Sequence, residues 1–406
     1  MRLTGNGGKS LENDIVAIGA VRTPLGSFGG SFRDTPVWDL GAAAIRAALE
    51  RAGVPADQVD QVIFGNCRQA GNGPNPARTA SVKGGIPVSV PAYTVNMACP
   101  SAMKTVMLAG QELSAGNARM VLAGGMESMS TMPYLLKNVR WEGFKLGDKT
   151  LSDSWSDTVD PLCGYGMGMT AENQVQKYGI SRAEQDEFAV SSHAKAATAQ
   201  REGWTDAEIV PVQLPPTRSH PEGVTVSRDE SIRQETSLDK LGKLKPVFQR
   251  DGSVTAGNSC GMGDGASAIL LTTRGNAKAM GLQPLFSIVS CAQTAVDPAT
   301  MGDGPAYSIP RALEKARMTL SDMDFIEVNE AFAAQILANE RVLKWDRARL
   351  NAYGGAIALG HPTGISGARI LVTLDNILRR YDKHLGVAGI CGGGGVTTAI
   401  VIRRER

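Results

Sequence analysis

The sequence predicts a layered α/β fold that is built from two similar halves, with a long insertion in the first half. Three observations support this prediction. Apolar strand-like runs alternate with amphipathic helix patterns up to about residue 127, and the same alternation returns after residue 249. Residues 281–406 then repeat the opening architecture faintly but in the same order, which indicates an internal duplication.

The first half contains the clearest elements. Short runs of β-branched and other apolar residues predict strands, and apolar residues three and four positions apart predict helices. The predicted strands are Asp14–Ala20, Val59–Phe64, Ala92–Met97 and Met120–Ala123, and the predicted helices are Val37–Ala52, Pro76–Gly84 and Ser101–Ala115. Together with the apolar pattern in Val254–Leu271, they predict a first domain of residues 1–127 and 249–280.

Residues 128–248 are predicted to be an inserted loop domain, because aromatic, Met and charged residues replace the strand–helix alternation there. One amphipathic helix is clear at Ser181–Arg201, where Ser181 and Glu184 have the spacing of a capping box. Pro211–Lys245 is rich in Pro, Arg and Lys and is predicted to be a loop.

Residues 281–406 are predicted to form the second half. Leu320–Asn329 echoes Ala56–Asn66, since each couples an acidic segment to an apolar strand and an Asn. Gly386–Gly393 echoes Val121–Met126 in the same way. Two similar halves that pack together create a site at their shared face, which is where we expect the chemistry.

Composition excludes several classes of protein. The 42 Lys and Arg residues nearly balance the 40 Asp and Glu residues, so no global field favours nucleic acid or a membrane surface as a partner. No apolar run reaches the roughly 18 residues of a membrane helix, and the first residues lack the apolar core of a secretory signal. Six widely spaced cysteines and four histidines predict neither a metal site nor a disulfide scaffold. We therefore expect a cytoplasmic protein.

Four segments contain the candidate catalytic residues. They are Asn96–Lys104, Asn329–Gln335, Asn351–Gly367 and Cys391–Gly395. Cys99 lies between a predicted strand and a predicted helix, where the partial positive charge of the helix N-terminus is expected to lower the thiol pKa. His361, on a glycine-rich loop, could accept the proton of Cys99. Cys391 could move a proton at carbon, Asn329 could orient a water, and the N–H groups of Cys99 and Gly393 could bind an oxyanion.

These four segments, in this order, resemble the thiolase family, and the resemblance extends from Val16 to Ile402. It implies a duplicated αβαβα fold of five layers with an inserted loop domain. It also implies a reversible CoA-dependent cleavage of 3-oxoacyl-CoA, or the reverse Claisen condensation, in fatty-acid metabolism. In this comparison Cys99 accepts the acyl group, His361 and an Asn329-bound water act on the enolate, and Cys391 is the acid or base at the α-carbon. CoA is a substrate, and no other cofactor or metal is implied.

The resemblance also implies contacts with CoA and the acyl chain. Arg233 is expected at the nucleotide end of CoA, and Phe248 and Ala256 are expected along the pantetheine channel. Cys260 occupies a position at which many members have Ser against the pantetheine. The full predicted set of substrate contacts is Arg233, Phe248, Ala256, Cys260, Met167, Ala331 and Phe332.

Three residues depart from the usual pattern of the family. Pro100 and Ala102 replace glycines after the nucleophile; Pro100 is expected at the first helical position, and Ala102 is expected to add a methyl group beside Cys99. Gly166 replaces the His or Pro that usually precedes Met167, which is expected to open space near the acyl pocket. The preferred substrate is therefore predicted to be bulkier than acetoacetyl-CoA, for example branched or aromatic.

Two alternatives stay open at this stage. One is a decarboxylating condensing enzyme, although the second cysteine, Cys391, favours a thiolase. The other is a non-catalytic acyl-CoA-binding subunit that needs a partner. Members of the family commonly form homodimers or homotetramers, and residues 135–155 resemble the loop that joins dimers in the tetramers.

Overall fold

The computed structural model describes residues 11–155, 159–216 and 221–405. The chain begins with a block of alternating strands and helices, as predicted. In order, these are β1 (Ile15–Arg22), β2 (Gly26–Ser27), α1 (Val37–Ala52), β3 (Gln61–Gly65), α2 (Pro76–Lys83), β4 (Ala92–Val95), α3 (Ser101–Ala115) and β5 (Met120–Ser128). The bounds of α1 and α3 coincide with the predicted ones.

The segment after β5 has short strands and two longer helices. Its elements are β6 (Tyr134–Leu136), α4 (Val139–Glu142), β7 (Leu151–Asp153), α5 (Met167–Tyr178), α6 (Arg182–Arg201), β8 (Val212–Leu214), β9 (Val224–Val226) and α7 (Leu238–Gly242). Helix α6 begins with the predicted capping box of Ser181 and Glu184. The prediction of a loop throughout Pro211–Lys245 was wrong, because β8 and β9 pair antiparallel and α7 follows. Strands of three residues between Pro-rich stretches leave too short an apolar pattern to be recognised.

The remaining chain completes the first half and forms the second. It contains β10 (Gly263–Thr273), α8 (Arg274–Ala279), β11 (Phe286–Ala295), α9 (Pro305–Ala316), β12 (Phe325–Val328), α10 (Ala333–Leu343), α11 (Ala356–Leu359), α12 (Ser366–Arg380), β13 (Leu385–Cys391) and β14 (Val396–Arg404). None of the helices in the described ranges combines the length and apolar composition needed to cross a membrane.

The strands show the internal duplication directly. The main sheet has the order β12-β13-β14-β11-β1-β10-β5-β3-β4, so the two halves meet at β1 and β11. In each half, two antiparallel pairs are followed by one parallel pair: β1–β10, β10–β5 and β5–β3 correspond to β11–β14, β14–β13 and β13–β12. The register of β1 shifts between Ala17 and Gly19, and that of β11 shifts between Ile288 and Ser290. A shared bulge at matching positions supports a common origin for the two halves.

Packing arranges these elements in five layers. Helices α1 and α2 cover the outer face of the first half-sheet, and α9 and α10 cover the outer face of the second. Helices α3 and α12 form the middle layer with the inner faces of both half-sheets. They approach closely at Gly367, where a Cβ atom would lie 2.6 Å from Met103 N. The predicted αβαβα fold is therefore confirmed, and the N-termini of both middle helices lie at the seam between the halves.

Candidate active site

Cys99 lies in the turn that connects β4 to α3, and hydrogen bonds fix this turn. Ser101 Oγ accepts the Met97 N–H at 2.9 Å and donates to Ala98 O at 2.5 Å. Ala98 has a φ of 52°, a conformation that costs a non-glycine residue roughly 1–2 kcal/mol. The hydrogen bonds hold this strained turn, so the position of Cys99 before α3 is fixed by its neighbours.

Two of the departures from the family pattern lie in this turn. Pro100 is the N-cap residue and Ser101 is the first helical residue, so the predicted place of Pro100 was wrong by one position. Its missing N–H is still not needed, because the helical bonds begin after it. Ala102 is fully buried, and an ideal Cβ on Gly125 would lie 3.0 Å from its methyl carbon. This side chain packs into the same middle-layer cluster that Cys99 contacts, and the effect of its methyl group on the nucleophile stays a prediction.

His361 and Asn329 come from the second half and face each other. His361 Nε2 lies 3.5 Å from Asn329 Nδ2, and His361 Nδ1 lies 2.7 Å from Ser366 Oγ. The Ser366 hydroxyl donates to Pro362 O at 3.1 Å. Because a hydroxyl has one proton, Ser366 then accepts from Nδ1, which leaves a lone pair on Nε2. Asn329 Oδ1 is buried without a partner among the described residues, so this oxygen is free to hold a water or a ligand.

The loop that carries His361 packs on the start of α3. A Cβ atom on Gly65 would lie 2.7 Å from Gly364 O and 2.9 Å from Ala102 N. Cys391 ends β13 on the other side, and a Cβ on Gly392 would lie 2.4 Å from Pro100 Cδ and 3.3 Å from Cys99 N. Glycine is needed at both places because the backbones touch. The seam thus brings residues of both halves against the Cys99 turn.

Burial controls the protonation of the thiols. The nearby N–H groups of Gly393 and of Cys99 itself favour the thiolate and lower the pKa of Cys99, but burial outweighs them and raises it. Burial, followed by the neighbouring Cys99, raises the pKa of Cys391, and the same causes raise that of Cys260 to about 12. The expected lowering of the Cys99 pKa was therefore wrong, because desolvation exceeds the effect of the helix terminus. In the free protein these thiols are protonated near neutral pH.

The imidazole of His361 is neutral under the same conditions. Burial lowers its pKa to about 3, and the charges of Arg369 and Arg68 act in the same direction. The resting site consequently contains no thiolate–imidazolium pair. A neutral imidazole with a lone pair on Nε2 is still the form in which a histidine can accept a proton.

The predicted substrate contacts fall into two groups. Met167, Ala331, Phe332, Cys260 and Phe248 come together beside the seam. Cys260 N–H donates to Ala331 O at 3.1 Å, the rings of Phe248 and Phe332 meet edge to face at 6.1 Å, and a Cβ on Gly393 would lie 3.4 Å from Met167 Sδ.

The second group lies further out. Ala256 is exposed at the start of the loop that leads to Cys260. Arg233 is exposed, and its N–H donates to His193 Nδ1 at 3.1 Å. A Cβ on Gly360 would lie 3.6 Å from Ser231 Oγ, so the segment that contains Arg233 passes close to the His361 loop.

Glu127, at the end of β5, is a residue of the site that the sequence analysis missed. Its carboxylate is fully buried and accepts five hydrogen bonds. The donors are Asn66 Nδ2 (2.6 Å), Cys67 N (3.2 Å), Arg68 N (3.1 Å), Thr363 Oγ1 (2.7 Å) and Gly364 N (2.7 Å). Two of these donors follow His361 by two and three residues, so Glu127 fastens the His361 loop to the first half. An acidic residue at the end of an apolar strand was the available signal.

Asp160 has a similar function on the other side of the site and was also missed. It is buried, and its Oδ2 accepts the Gly394 N–H at 2.6 Å while its Oδ1 accepts the Leu162 N–H at 2.9 Å. Gly394 has a φ of 78°, which favours glycine. Asp160 therefore fixes the turn that presents the Gly393 N–H to Cys99.

Comparisons with known proteins agree with this geometry. The family model described as "Thiolase, N-terminal domain" matches residues 15–275, and the model described as "Thiolase, C-terminal domain" matches residues 282–404. The chain is 49% identical over 392 residues to a probable acetyl-CoA acyltransferase of Staphylococcus epidermidis, which covers 96% of this chain and 98% of that protein. It is 48% identical over 396 residues to an acetyl-CoA acetyltransferase of Cupriavidus necator, covering 97% and 100% of the two chains.

Solved structures show the same fold. The acetyl-CoA acetyltransferase of Bacillus anthracis has a TM-score of 0.94 at 42% identity, over 97% of this chain and 99% of that chain. Human mitochondrial 3-ketoacyl-CoA thiolase in complex with CoA has a TM-score of 0.92 at 40% identity, over 98% and 99%. The match of both family models and these identities over nearly the full length establish that this chain belongs to the thiolase family.

Proposed function

We propose that this protein cleaves a 3-oxoacyl-CoA with CoA, or condenses two acyl-CoAs in reverse, through an acyl group on Cys99. The observation that supports this most is the seam itself. It joins Cys99 of the first half, against which the Gly392–Gly393 backbone packs, to an Asn329–His361 pair and a buried cysteine, Cys391, of the second half. Full-length relatives named as acyltransferases favour this function over a decarboxylating enzyme or a non-catalytic subunit.

The proposed first half-reaction uses the proton donors and acceptors at the seam. The Cys99 thiol gives its proton to His361, and its sulfur forms a bond to the C3 carbonyl carbon. The N–H groups of Cys99 and Gly393 stabilise the resulting oxyanion. The C2–C3 bond then breaks, its electron pair goes to C2, and the Cys391 thiol donates a proton there. Acetyl-CoA leaves, and the acyl group stays on Cys99.

The second half-reaction restores the enzyme. The Cys391 thiolate takes the proton of an incoming CoA thiol, and the CoA sulfur attacks the acyl carbon. The Cys99–acyl bond breaks, and the Cys99 sulfur recovers its proton from His361. The products are acetyl-CoA and an acyl-CoA that is two carbons shorter, so the atoms balance. Condensation follows the same steps in the opposite order.

A substrate bulkier than acetoacetyl-CoA is part of this proposal. A Cβ atom on Gly166 would find no heavy atom within 4 Å, and Met167 follows directly. Thiolysis rates for acetoacetyl-CoA and for longer, branched and aromatic 3-oxoacyl-CoAs test this point. A strong preference for acetoacetyl-CoA would remove it.

We also propose that Arg233, Phe248 and Ala256 meet CoA, with Cys260, Met167, Ala331 and Phe332 along the pantetheine and acyl chain. Three further points stay predictions: assembly as a homodimer or homotetramer, the need for an accessory subunit, and a cytoplasmic location. Exposed Trp141 and Phe144, near β7, support contacts between copies in residues 135–155.

Mass spectrometry after incubation with acyl-CoA tests the central proposal. Wild type and Cys391→Ala are expected to gain an acyl adduct on Cys99, whereas Cys99→Ala gains none, and both variants lose turnover. Release of CO2 from malonyl-CoA measures the decarboxylating alternative. An adduct on another residue, or turnover by Cys99→Ala, would contradict the proposed function.

A further inference from the structure

Arg68 is a cation beside the seam that has no anionic partner among residues 11–155, 159–216 and 221–405. The side chain is half-buried, and its Nε atom is buried without a hydrogen-bond partner. Its guanidinium carbon lies 4.9 Å from the centre of the Trp155 ring, which is a cation–π contact. Partial burial of a guanidinium whose N–H groups lack acceptors costs free energy, and a bound anion that accepts from these groups would offset this cost.

The backbone of Arg68 is fixed on the Cys99 side of the site. Arg68 N and Cys67 N both donate to Glu127, and Cys67 O accepts Asn96 Nδ2 at 3.0 Å. Asn96 precedes Cys99 by three residues. On the other side, Trp155 belongs to the segment that leads to Asp160 and hence to the Gly394 turn. The backbone of Arg68 therefore adjoins the nucleophile turn, and its guanidinium packs on Trp155 of the inserted segment.

The charge of Arg68 acts on the reacting groups. It is the largest influence that opposes burial at Cys99, where it lowers the thiol pKa, and it also lowers the pKa of His361. The charge of Arg68 also lowers the pKa of Glu127, but the two oxygens of this carboxylate are occupied by five donors, none of which belongs to the Arg68 guanidinium. The positive charge thus acts on the site, and the guanidinium forms no ion pair with a carboxylate in the described part of the chain.

We propose that Arg68 binds an anionic oxygen group of the substrate, and that the preferred 3-oxoacyl-CoA carries a carboxylate at the far end of its acyl chain. This inference rests on the proposed function and specifies its substrate. Arginine suits the role because its planar fork matches the two oxygens of a carboxylate. A phosphate of CoA has the same chemistry. The acyl carboxylate is favoured because Arg68 stands beside the nucleophile turn, whereas the predicted nucleotide contact, Arg233, lies on a different segment beside His193.

The test uses matched pairs of 3-oxoacyl-CoA esters of equal chain length, one ending in a methyl group and the other in a carboxylate. Thiolysis by the full-length protein is compared for wild type, Arg68→Met and Arg68→Lys across several chain lengths. Wild type is expected to have the higher kcat/KM for the carboxylate at one or more lengths. Arg68→Met should reduce the carboxylate-to-methyl ratio of kcat/KM by about ten- to a hundredfold, the range for a charge-assisted hydrogen bond, and Arg68→Lys should retain part of it.

The ratio separates recognition from other functions of Arg68. A loss of nucleophile activation, or of packing on Trp155, lowers kcat/KM for both esters equally and overturns the inference. An equal rise in the KM for CoA with both esters assigns the cation to a phosphate and also overturns it. Turnover of only the methyl esters by wild type overturns the inference and leaves the proposed function intact. No turnover and no adduct with any ester overturns both.

Discussion

Replacing Glu127 by Gln should slow catalysis more than the loss of stability explains. The carboxylate joins residues 66–68 of the first half to Thr363 and Gly364, just after His361. Glutamine has one acceptor oxygen in place of two and adds a donor. Whichever way the amide is oriented, at least two N–H or O–H groups that now bond Glu127 will face another donor.

The magnitude follows from those lost bonds. Each hydrogen bond to a charged group contributes about 1.5–3 kcal/mol, so two of them amount to about 3–6 kcal/mol. Removing a buried charge, whose pKa is raised by burial, offsets part of this cost. We expect the free energy of unfolding to fall by about 2–4 kcal/mol. A shift of the His361 loop by about 1 Å should lower kcat by up to about a hundredfold, with a smaller change in KM.

Urea unfolding and steady-state thiolysis measure the two effects, and Glu208→Gln is the matched control. Glu208 is also a buried glutamate, and it bonds Arg22 Nε at 2.7 Å and Thr373 Oγ1 at 3.2 Å, on elements that do not carry the candidate residues. This variant should lose stability and retain kcat per folded molecule. The pH profile of Cys99 alkylation adds a signed test, because Glu127 raises the Cys99 pKa and the midpoint should therefore move to lower pH in Glu127→Gln.

A folded Glu127→Gln protein with wild-type kcat would refute this reasoning. The same conclusion would follow if Glu208→Gln lost activity to the same degree, because general loosening would then account for both. An upward shift of the alkylation midpoint would show that the charge of Glu127 does not act on the sulfur.

Three further predictions concern single groups. Asp160→Asn should slow acyl transfer to Cys99 by about five- to thirtyfold in a pre-steady-state burst, because one acceptor of the Gly394 turn, worth roughly 1–2 kcal/mol, is lost; an unchanged burst rate would contradict this. Alkylation of Cys99 by iodoacetamide in the free enzyme should be half-maximal above pH 9.0, the ordinary thiol value, since burial raises this pKa. His193 has a folded-state pKa lowered from 6.5 to about 4, so the unfolded chain binds the proton first and stability falls as pH drops from about 6.5 to about 4. His193→Gln should be less stable than wild type at pH 8, and the gap, measured by urea unfolding, should narrow by pH 5.

The sequence predicted those parts of the fold that local patterns determine. Helices α1 and α3 matched to the residue, because long amphipathic patterns end at Gly53 and Gly116, which take left-handed conformations. The capping box of Ser181 and Glu184 was also predicted correctly from the sequence. The hairpin of β8 and β9 was missed because its short strands are stabilised by pairing with each other and not by a periodic pattern of their own.

The sequence allowed the candidate reacting groups of the site to be predicted, but not the residues that hold them in position. Cys99, Asn329, His361 and Cys391 lie in distinctive segments, and the roles assigned to them stay predictions. Glu127, Asp160 and Arg68 are single polar residues in ordinary surroundings, and their importance depends on contacts with residues more than 200 positions away or on burial that only the fold creates. The predicted direction of the Cys99 pKa shift was wrong for the same reason, because the desolvation of the sulfur depends on the folded structure.

The pairing of β1 with β10 and β11 has a consequence for biosynthesis. Residues 15–22 must wait for residues 267–273 and 286–287 before their edges are covered, and Cys391 emerges from the ribosome later still. Strand pairing between residues this far apart in sequence is slow, and the folding intermediates that precede it are prone to aggregate. A nascent chain stalled before β13 would therefore be compact yet chemically inert, and activity recovered during refolding should trail the return of helical circular dichroism.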